Sequence, residues 1–217
     1  MSILRATLLV ITIAWLMPGC AATRSTIDMS VSKTQQVPAK GFAKVLEVKD
    51  VRRFEAFPRE PSVPSLQNSM EINDRAITSR AVARKRGGFG KAFAEILLPE
   101  GRTVAQVVRE AATKALAEKG YAVVAEGSPE FANALPVNIE IQQFWSWLTP
   151  GAFRISLEFV GTVLLKGEVL AGSNEETVRG YSIINAMAAT DSEWQEVMQN
   201  GVQDLIEKMK TKLKSPN

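Results

Sequence analysis

Hydrophobic and polar residues alternate most regularly in the second half of the chain, between Val137 and Phe159. A period of two places successive side chains on opposite faces of a strand. Pro150 and Gly151 stand where a type II turn prefers proline and glycine, so we predict two antiparallel strands joined there. The predicted register pairs Trp147 with Phe153, Trp145 with Ile155, and Ile141 with Phe159, all on one buried face.

Gln143 interrupts this apolar face, and we interpret it as the site of a β-bulge. Phe144 falls on the opposite face, so we predict that its side chain points away from the core and is available to a partner. Trp145 and Trp147 either form a binding surface or pack against the last helix, and the register favours packing.

Two helices are predicted where apolar residues recur at helical spacing. They span Thr103 to Lys119 and Asp191 to Lys212. Gly201 lies on the apolar stripe of the second helix, which indicates a close approach to the sheet. The first helix begins at a capping box, Thr103 with Gln106. The second has two candidates with the same spacing, Thr190 with Glu193 and Ser192 with Gln195.

The remaining pattern is that of further strands and one long loop. Three prolines predict a loop over Pro58–Asn73. The other predicted strands are Phe42–Phe54, Arg75–Arg86, Tyr121–Val124 and Thr177–Ile184, with the return strand of the pair ending near Lys166. We therefore predict an α+β fold: one domain with a mostly antiparallel, mixed sheet and two helices packed on one face.

The first residues differ from the rest of the chain. A basic start, Met1–Arg5, is followed by an uncharged, largely apolar run, Ala6–Met17. This is the organisation of a secretory signal, and the run is too short to span a bilayer, which needs about 20 residues.

The sequence Leu16-Met17-Pro18-Gly19-Cys20 resembles the lipobox of bacterial lipoproteins. The resemblance implies cleavage after Gly19, lipid attachment at Cys20 and a place in the cell envelope. Cys20 is the one cysteine, so it cannot form an internal disulfide. Alanine at position 21, where aspartate often marks retention in the inner membrane, favours the periplasmic face of the outer membrane.

These features divide the chain into three parts. Residues 1–19 are the predicted signal peptide, 20–40 a lipidated flexible tether, and 41–217 the globular domain. Loss of residues 1–19 removes only Arg5 among the charged residues and leaves 25 basic against 23 acidic side chains. This balance, together with export itself, argues against nucleic acid as a partner.

The order of elements adds a second resemblance, to small uncharacterised envelope lipoproteins of the YajG type. The matching pieces are Asp50-Val51-Arg52 in an early strand, Ala111–Tyr121, Val137–Lys166 and Trp194–Leu213. The layout also resembles auxiliary lipoproteins of envelope transporters. Neither resemblance supplies a catalytic residue.

Several kinds of chemistry are missing from the sequence. It contains no histidine, which removes histidine-based metal sites and histidine-dependent nucleophilic catalysis. We expect no cofactor, no metal and no catalytic residues. A carboxylate pair such as Glu140 and Glu158 remains as a minimal hydrolase site.

A basic segment, Arg75–Lys91, contains no acid. It either receives an anionic group, such as a lipid headgroup, a glycolipid phosphate or an acidic protein, or protects an exposed strand edge. The candidate interaction residues here are Arg80, Arg84, Lys85 and Arg86.

We thus expect a non-enzymatic accessory or interaction protein of an envelope transport or assembly system, held to the membrane by its N-terminal lipid. A periplasmic binder or carrier of lipid or another envelope ligand is the alternative. A carboxylate-dependent cell-wall hydrolase is the third.

Overall fold

The structure is a computed structural model that describes residues 24–32, 38–87 and 91–216. The predicted signal peptide and Cys20 lie outside the described residues, as do Gly88–Gly90 of the basic segment. The described strands are β1 (Ser25–Thr26), β2 (Gly41–Asp50), β3 (Ala81–Arg86), β4 (Ala92–Leu97), β5 (Tyr121–Val123), β6 (Leu135–Pro150), β7 (Ile155–Lys166) and β8 (Glu175–Ala186). The helices are α1 (Arg75–Thr78), α2 (Val104–Lys119) and α3 (Asp191–Lys212), with short 3-10 turns at Ser69–Asn73 and Phe131–Asn133.

All eight strands form one mixed sheet organised around β6. One edge of β6, from Asn138 to Pro150, pairs antiparallel with the whole of β7. β7 in turn pairs antiparallel with β8. The other edge is shared: β2 runs parallel to Leu135–Ile141, and β3 runs parallel to β6 at Ser146. β5 extends the sheet beyond β2, whereas β4 and β1 extend it beyond β3.

The two long helices pack on one face of this sheet, so the predicted α+β fold class is confirmed. α2 starts at the predicted capping box, in which Thr103 and Gln106 each accept from the other's backbone N–H. It ends at Gly120 in the left-handed region, with φ 103°. α3 starts as predicted, with the Glu193 carboxylate accepting from the backbone N–H of Thr190.

Glycines let α3 approach the sheet closely. A methyl group on Gly180 of β8 would lie 2.8 Å from the backbone oxygen of Gly201, closer than real side chains approach backbone. One on Gly201 would overlap the ring of Phe159 in β7. The close approach predicted from the position of Gly201 is therefore confirmed.

Gly201→Ala is expected to lower the free energy of unfolding by about 1–3 kcal/mol, because overpacking at the Phe159 ring outweighs the helix preference of alanine. Urea denaturation measures this change. Asn200→Ala, one residue earlier on the exposed face of α3, is the matched control and should leave stability unchanged or slightly higher. An increase for Gly201→Ala would contradict the packing described.

The predicted β-bulge at Gln143 is confirmed, but it changes which face the following residues occupy. The β6–β7 register shifts between Ile141 and Gln143. Beyond that shift, Phe144 is fully buried on the helix side, with its ring 4.9 Å from that of Phe159 in an edge-to-face contact. The prediction that Phe144 points away from the core is wrong, because the extra residue of the bulge reverses the alternation.

The predicted register of this hairpin is also wrong. Pro150 pairs with Ile155 and Trp145 with Val160, because the turn includes residues up to Arg154. Phe153, predicted to pair with Trp147, lies in the turn and is 91% exposed.

Trp145 and Trp147 pack on the face opposite the two long helices. They belong to a small cluster with Leu66, Ala81, Leu97 and Val160. The Trp145 indole N–H donates to the carbonyl of Pro61, and its ring makes an edge contact with Phe54 at 5.9 Å. The proline-rich loop therefore covers this half of the second face.

The N-terminal half departs from the prediction in three places. The predicted strand Arg75–Arg86 starts only at Ala81, because Asp74 caps the short helix α1 through the backbone N–H of Ala76. Strand β4 was not predicted. Part of the predicted tether belongs to the domain, since β1 pairs with β4, and Ile27 and Met29 are buried in the core; residues 33–37 of the tether lie outside the described residues.

Candidate functional site

The Asp50-Val51-Arg52 element lies at the point along β6 where the neighbouring strand changes from β2 to β3. β2 last pairs with β6 at Ile141, and β3 first pairs with it at Ser146. Arg52, which is buried, occupies the gap between them. Its Nε and Nη2 donate to the two carboxylate oxygens of Asp50 at 2.9 and 2.8 Å.

The other guanidinium donors of Arg52 reach backbone carbonyls. Nη1 donates to Ala81 and Phe144 at 2.7 and 2.9 Å, and Nη2 donates to Thr78 at 2.8 Å. With the two bonds to Asp50, all five N–H donors of the guanidinium have acceptors. Such a satisfied, buried pair joins β2, β3 and β6.

The basic segment does not form one anion-binding patch in its described part. The Nε of Arg80 donates to the carbonyl of Leu98 at 3.0 Å. Lys85 points to the helix face and contacts Asp191 at 2.8 Å, whereas Arg84 lies opposite Glu95 in the β3–β4 pair. β3 lies between β4 and β6, so the alternative of a charged, exposed strand edge is also wrong.

Part of this basic charge lies next to a buried acidic side chain, Glu95. Glu95 is buried and accepts from the Nε of Arg24 at 3.1 Å and from the backbone N–H of Gln67. Arg84, also buried, is adjacent to it, and desolvation lowers the pKa of Arg84 from its ordinary value despite the charge of Glu95. The sequence gives no local signal for this cluster, because its members come from four separate segments.

Arg24 fixes the start of the domain. Besides Glu95, its guanidinium contacts Glu71 of the loop. The next residues form β1, in which Ser25 pairs with Ile96 and Thr26 with Leu97. The sheet therefore begins at Ser25, five residue steps after Cys20.

The end of the sheet that carries the β6–β7 turn, here named the hairpin end, exposes apolar and basic side chains. Phe153 in the turn is 91% exposed, and Met187, just after β8, is 81% exposed. Lys91, before β4, and Arg154, before β7, are exposed at the same end. Neither Phe153 nor Met187 was predicted as an interaction residue. Phe153 could have been found from its position close behind the Pro150-Gly151 turn signal.

The predicted carboxylate pair does not converge. Glu140 contacts Lys166 at 3.0 Å, and Glu158 accepts from the Tyr181 hydroxyl at 2.9 Å. Glu140 lies opposite Leu164 in β7, six residue steps from Glu158, or about 20 Å along a strand. Glycosidase carboxylates lie about 5–10 Å apart, so these two cannot act on one bond.

A small cavity lies between the two long helices and the sheet. The cavity enclosed by Ala112, Leu116, Ile139, Leu165 and Met209 has a volume of about 10 Å³, which is at the lower limit for one water molecule. This space cannot hold an acyl chain.

Two kinds of feature are missing from the residues that the structure describes. They contain no group of three or more acidic or cysteine side chains placed to bind a metal ion. No helix among them is long and apolar enough to cross a bilayer.

Comparisons with known proteins leave the chain without an assigned family. No protein-family model matches the sequence. No curated protein matches it either. Among solved structures, the crystal structure of an uncharacterised protein is similar over 87% of this chain and 97% of its own, with 11% sequence identity and a TM-score of 0.45.

Proposed function

We propose that the protein is a bacterial envelope lipoprotein, anchored by lipid on Cys20, whose domain acts as a non-enzymatic accessory or interaction subunit of an envelope transport or assembly system. The anchor would hold it on the periplasmic face of the outer membrane. Its partners would be the membrane and an envelope protein.

The observation that carries this proposal is the short distance between Cys20 and the folded domain. Arg24 is held by Glu95 and Glu71, and only four residue steps separate it from the cysteine. A fully extended chain covers at most about 14 Å over that length. A lipid on Cys20 would therefore keep the domain against the membrane, within reach of membrane-bound partners.

Anchoring strength supports the same proposal. Each buried methylene contributes about 0.8 kcal/mol, and one myristoyl chain binds only marginally. Two or three chains on Cys20, as the lipobox implies, would give a stable attachment. The cavity beside Leu116 and Met209 has no room for an acyl chain, so we place a lipid-carrier function second.

Cys20→Ala tests both parts of the proposal. In cells given an alkyne fatty acid, the wild-type protein should become labelled and Cys20→Ala should not. Ala22→Ser, which retains the cysteine, should behave as the wild type. Crosslinking in native membranes should then enrich one envelope complex with the wild type and Ala22→Ser, and lose it with Cys20→Ala.

Two results would contradict the proposal at different points. Absence of label from the wild type would remove the lipid anchor. Full labelling without any enriched envelope protein would remove the accessory role and leave an anchored domain that works alone.

A further inference from the structure

The direction of β1 gives the position of Arg24, the first described residue, relative to the two ends of the sheet. β1 runs parallel to β4, and β4 runs away from the hairpin end. Arg24 therefore lies on the hairpin-end side of Ser25. Ser25 is level with Ile96, four residue steps from Ala92 at the start of β4, or about 13 Å along a strand.

The anchor's reach includes the hairpin end and excludes the opposite end of the sheet. The residues from Cys20 to Arg24 extend at most about 14 Å, enough to reach the level of Ala92. Ser25 lies level with Phe159 of β7, and Lys166 at the opposite end of the sheet is seven residue steps further along that strand, or about 23 Å. A lipid on Cys20 cannot bring that opposite end to the bilayer while the hairpin end stays away from it.

The side chains at the hairpin end have the chemistry of a membrane contact. Phe153 and Met187 are the two most exposed large apolar side chains of this end, at 91% and 81%. Lys91 and Arg154 are exposed at the same end. Of the acids in the first turn of α3, Asp191 is paired with Lys85, and Glu193 accepts from the backbone N–H of Thr190. Apolar side chains enter the boundary between headgroups and acyl chains, and nearby cations are attracted by anionic lipids.

We propose that the hairpin end rests on the bilayer, with Phe153 and Met187 inserted at the headgroup boundary and Lys91 and Arg154 against anionic headgroups. This orientation rests on the proposed anchoring at Cys20. In this orientation the lipid holds the hairpin end against the bilayer. The opposite end of the sheet, near Asn174, then faces away from the membrane and toward partners.

A depth-sensitive fluorophore tests this orientation in the full lipoprotein, reconstituted in vesicles of phosphatidylethanolamine and phosphatidylglycerol. Acylation of Cys20 leaves no other thiol, so a label can be placed at Ala152→Cys in the turn or at Asn174→Cys at the opposite end. Both positions are exposed. Nitroxide lipids should quench the label at position 152 several-fold more strongly than the label at position 174.

Substitution of the inserting side chains supplies the second measurement. In a Phe153→Ser, Met187→Ser background, quenching at position 152 should fall toward the level at position 174. Equal quenching at the two positions in the acylated wild-type background, or no change in the double variant, would overturn the orientation.

The failure of the anchor itself can be recognised separately by mass. If Cys20 carries no lipid, the proposed function fails. In that case, labelled Cys20→Ala chains mixed with the same vesicles test the surface contact without the anchor. Stronger quenching at position 152 than at position 174 would support the contact, and equal quenching would overturn it.

Discussion

Replacing Arg52 with alanine is expected to lower the free energy of unfolding by about 3–5 kcal/mol, the range found when one partner of a buried ion pair is removed. The carboxylate of Asp50 would remain buried without its cation. The carbonyls of Thr78, Ala81 and Phe144 would lose the donor that they share. These three carbonyls belong to α1, β3 and β6, so the loss of stability should include the β3–β6 junction.

The adjacent Arg53 supplies a matched control. It carries the same charge one residue later but is exposed, so Arg53→Ala should change the free energy of unfolding by less than about 0.5 kcal/mol. Urea denaturation of both variants gives the comparison. Similar stabilities for Arg52→Ala and Arg53→Ala would show that the buried pair does not join the strands as described.

The second large effect is expected at Phe144. Phe144→Ala should cost about 3–5 kcal/mol of stability, since it removes a fully buried ring and leaves a cavity. The edge-to-face contact with Phe159 would be lost at the same time. Thermal or urea unfolding measures the loss.

Phe153 is the control for the same substitution. Its ring is exposed in the turn, so Phe153→Ala should leave stability within about 0.5 kcal/mol of the wild type. The alternation read from the sequence alone predicts the reverse order, with Phe153 buried and Phe144 exposed. A smaller loss for Phe144→Ala than for Phe153→Ala would therefore restore that prediction and contradict the register of the structure.

Local signals were sufficient for the two long helices. Capping boxes at Thr103 and Thr190 and the glycine at position 120 act within a few residues, and the structure places the helix ends there. The position of Gly201 on the apolar stripe likewise indicated a close approach to the sheet, because a glycine on the packing face of a helix leaves room for a neighbouring side chain.

The alternation in β6 could not give the correct faces beyond the bulge. From Phe144 to Leu148 every residue is buried, since the helices cover one face and the proline-rich loop the other. With both faces apolar, a period of two no longer distinguishes inside from outside. The change of face at Gln143 and the longer turn then moved the register.

The site features depend on contacts between distant parts of the chain. Arg52 acts on carbonyls that lie 26 to 92 residues away in the sequence. The hairpin end becomes a surface only when β4, the β6–β7 turn and the end of β8 are placed side by side. The Asp50-Val51-Arg52 pattern could be recognised in the sequence, but its role as a joint required the strand order.

The central proposal is that lipid on Cys20 holds this domain at the membrane, and the mass of the mature protein purified from cell membranes tests it most directly. We expect the chain to begin at Cys20 and its N-terminal peptide to carry a diacylglyceryl group and an amide-linked acyl chain. A chain that retains residues 1–19, or one with an unmodified cysteine, would contradict the proposal.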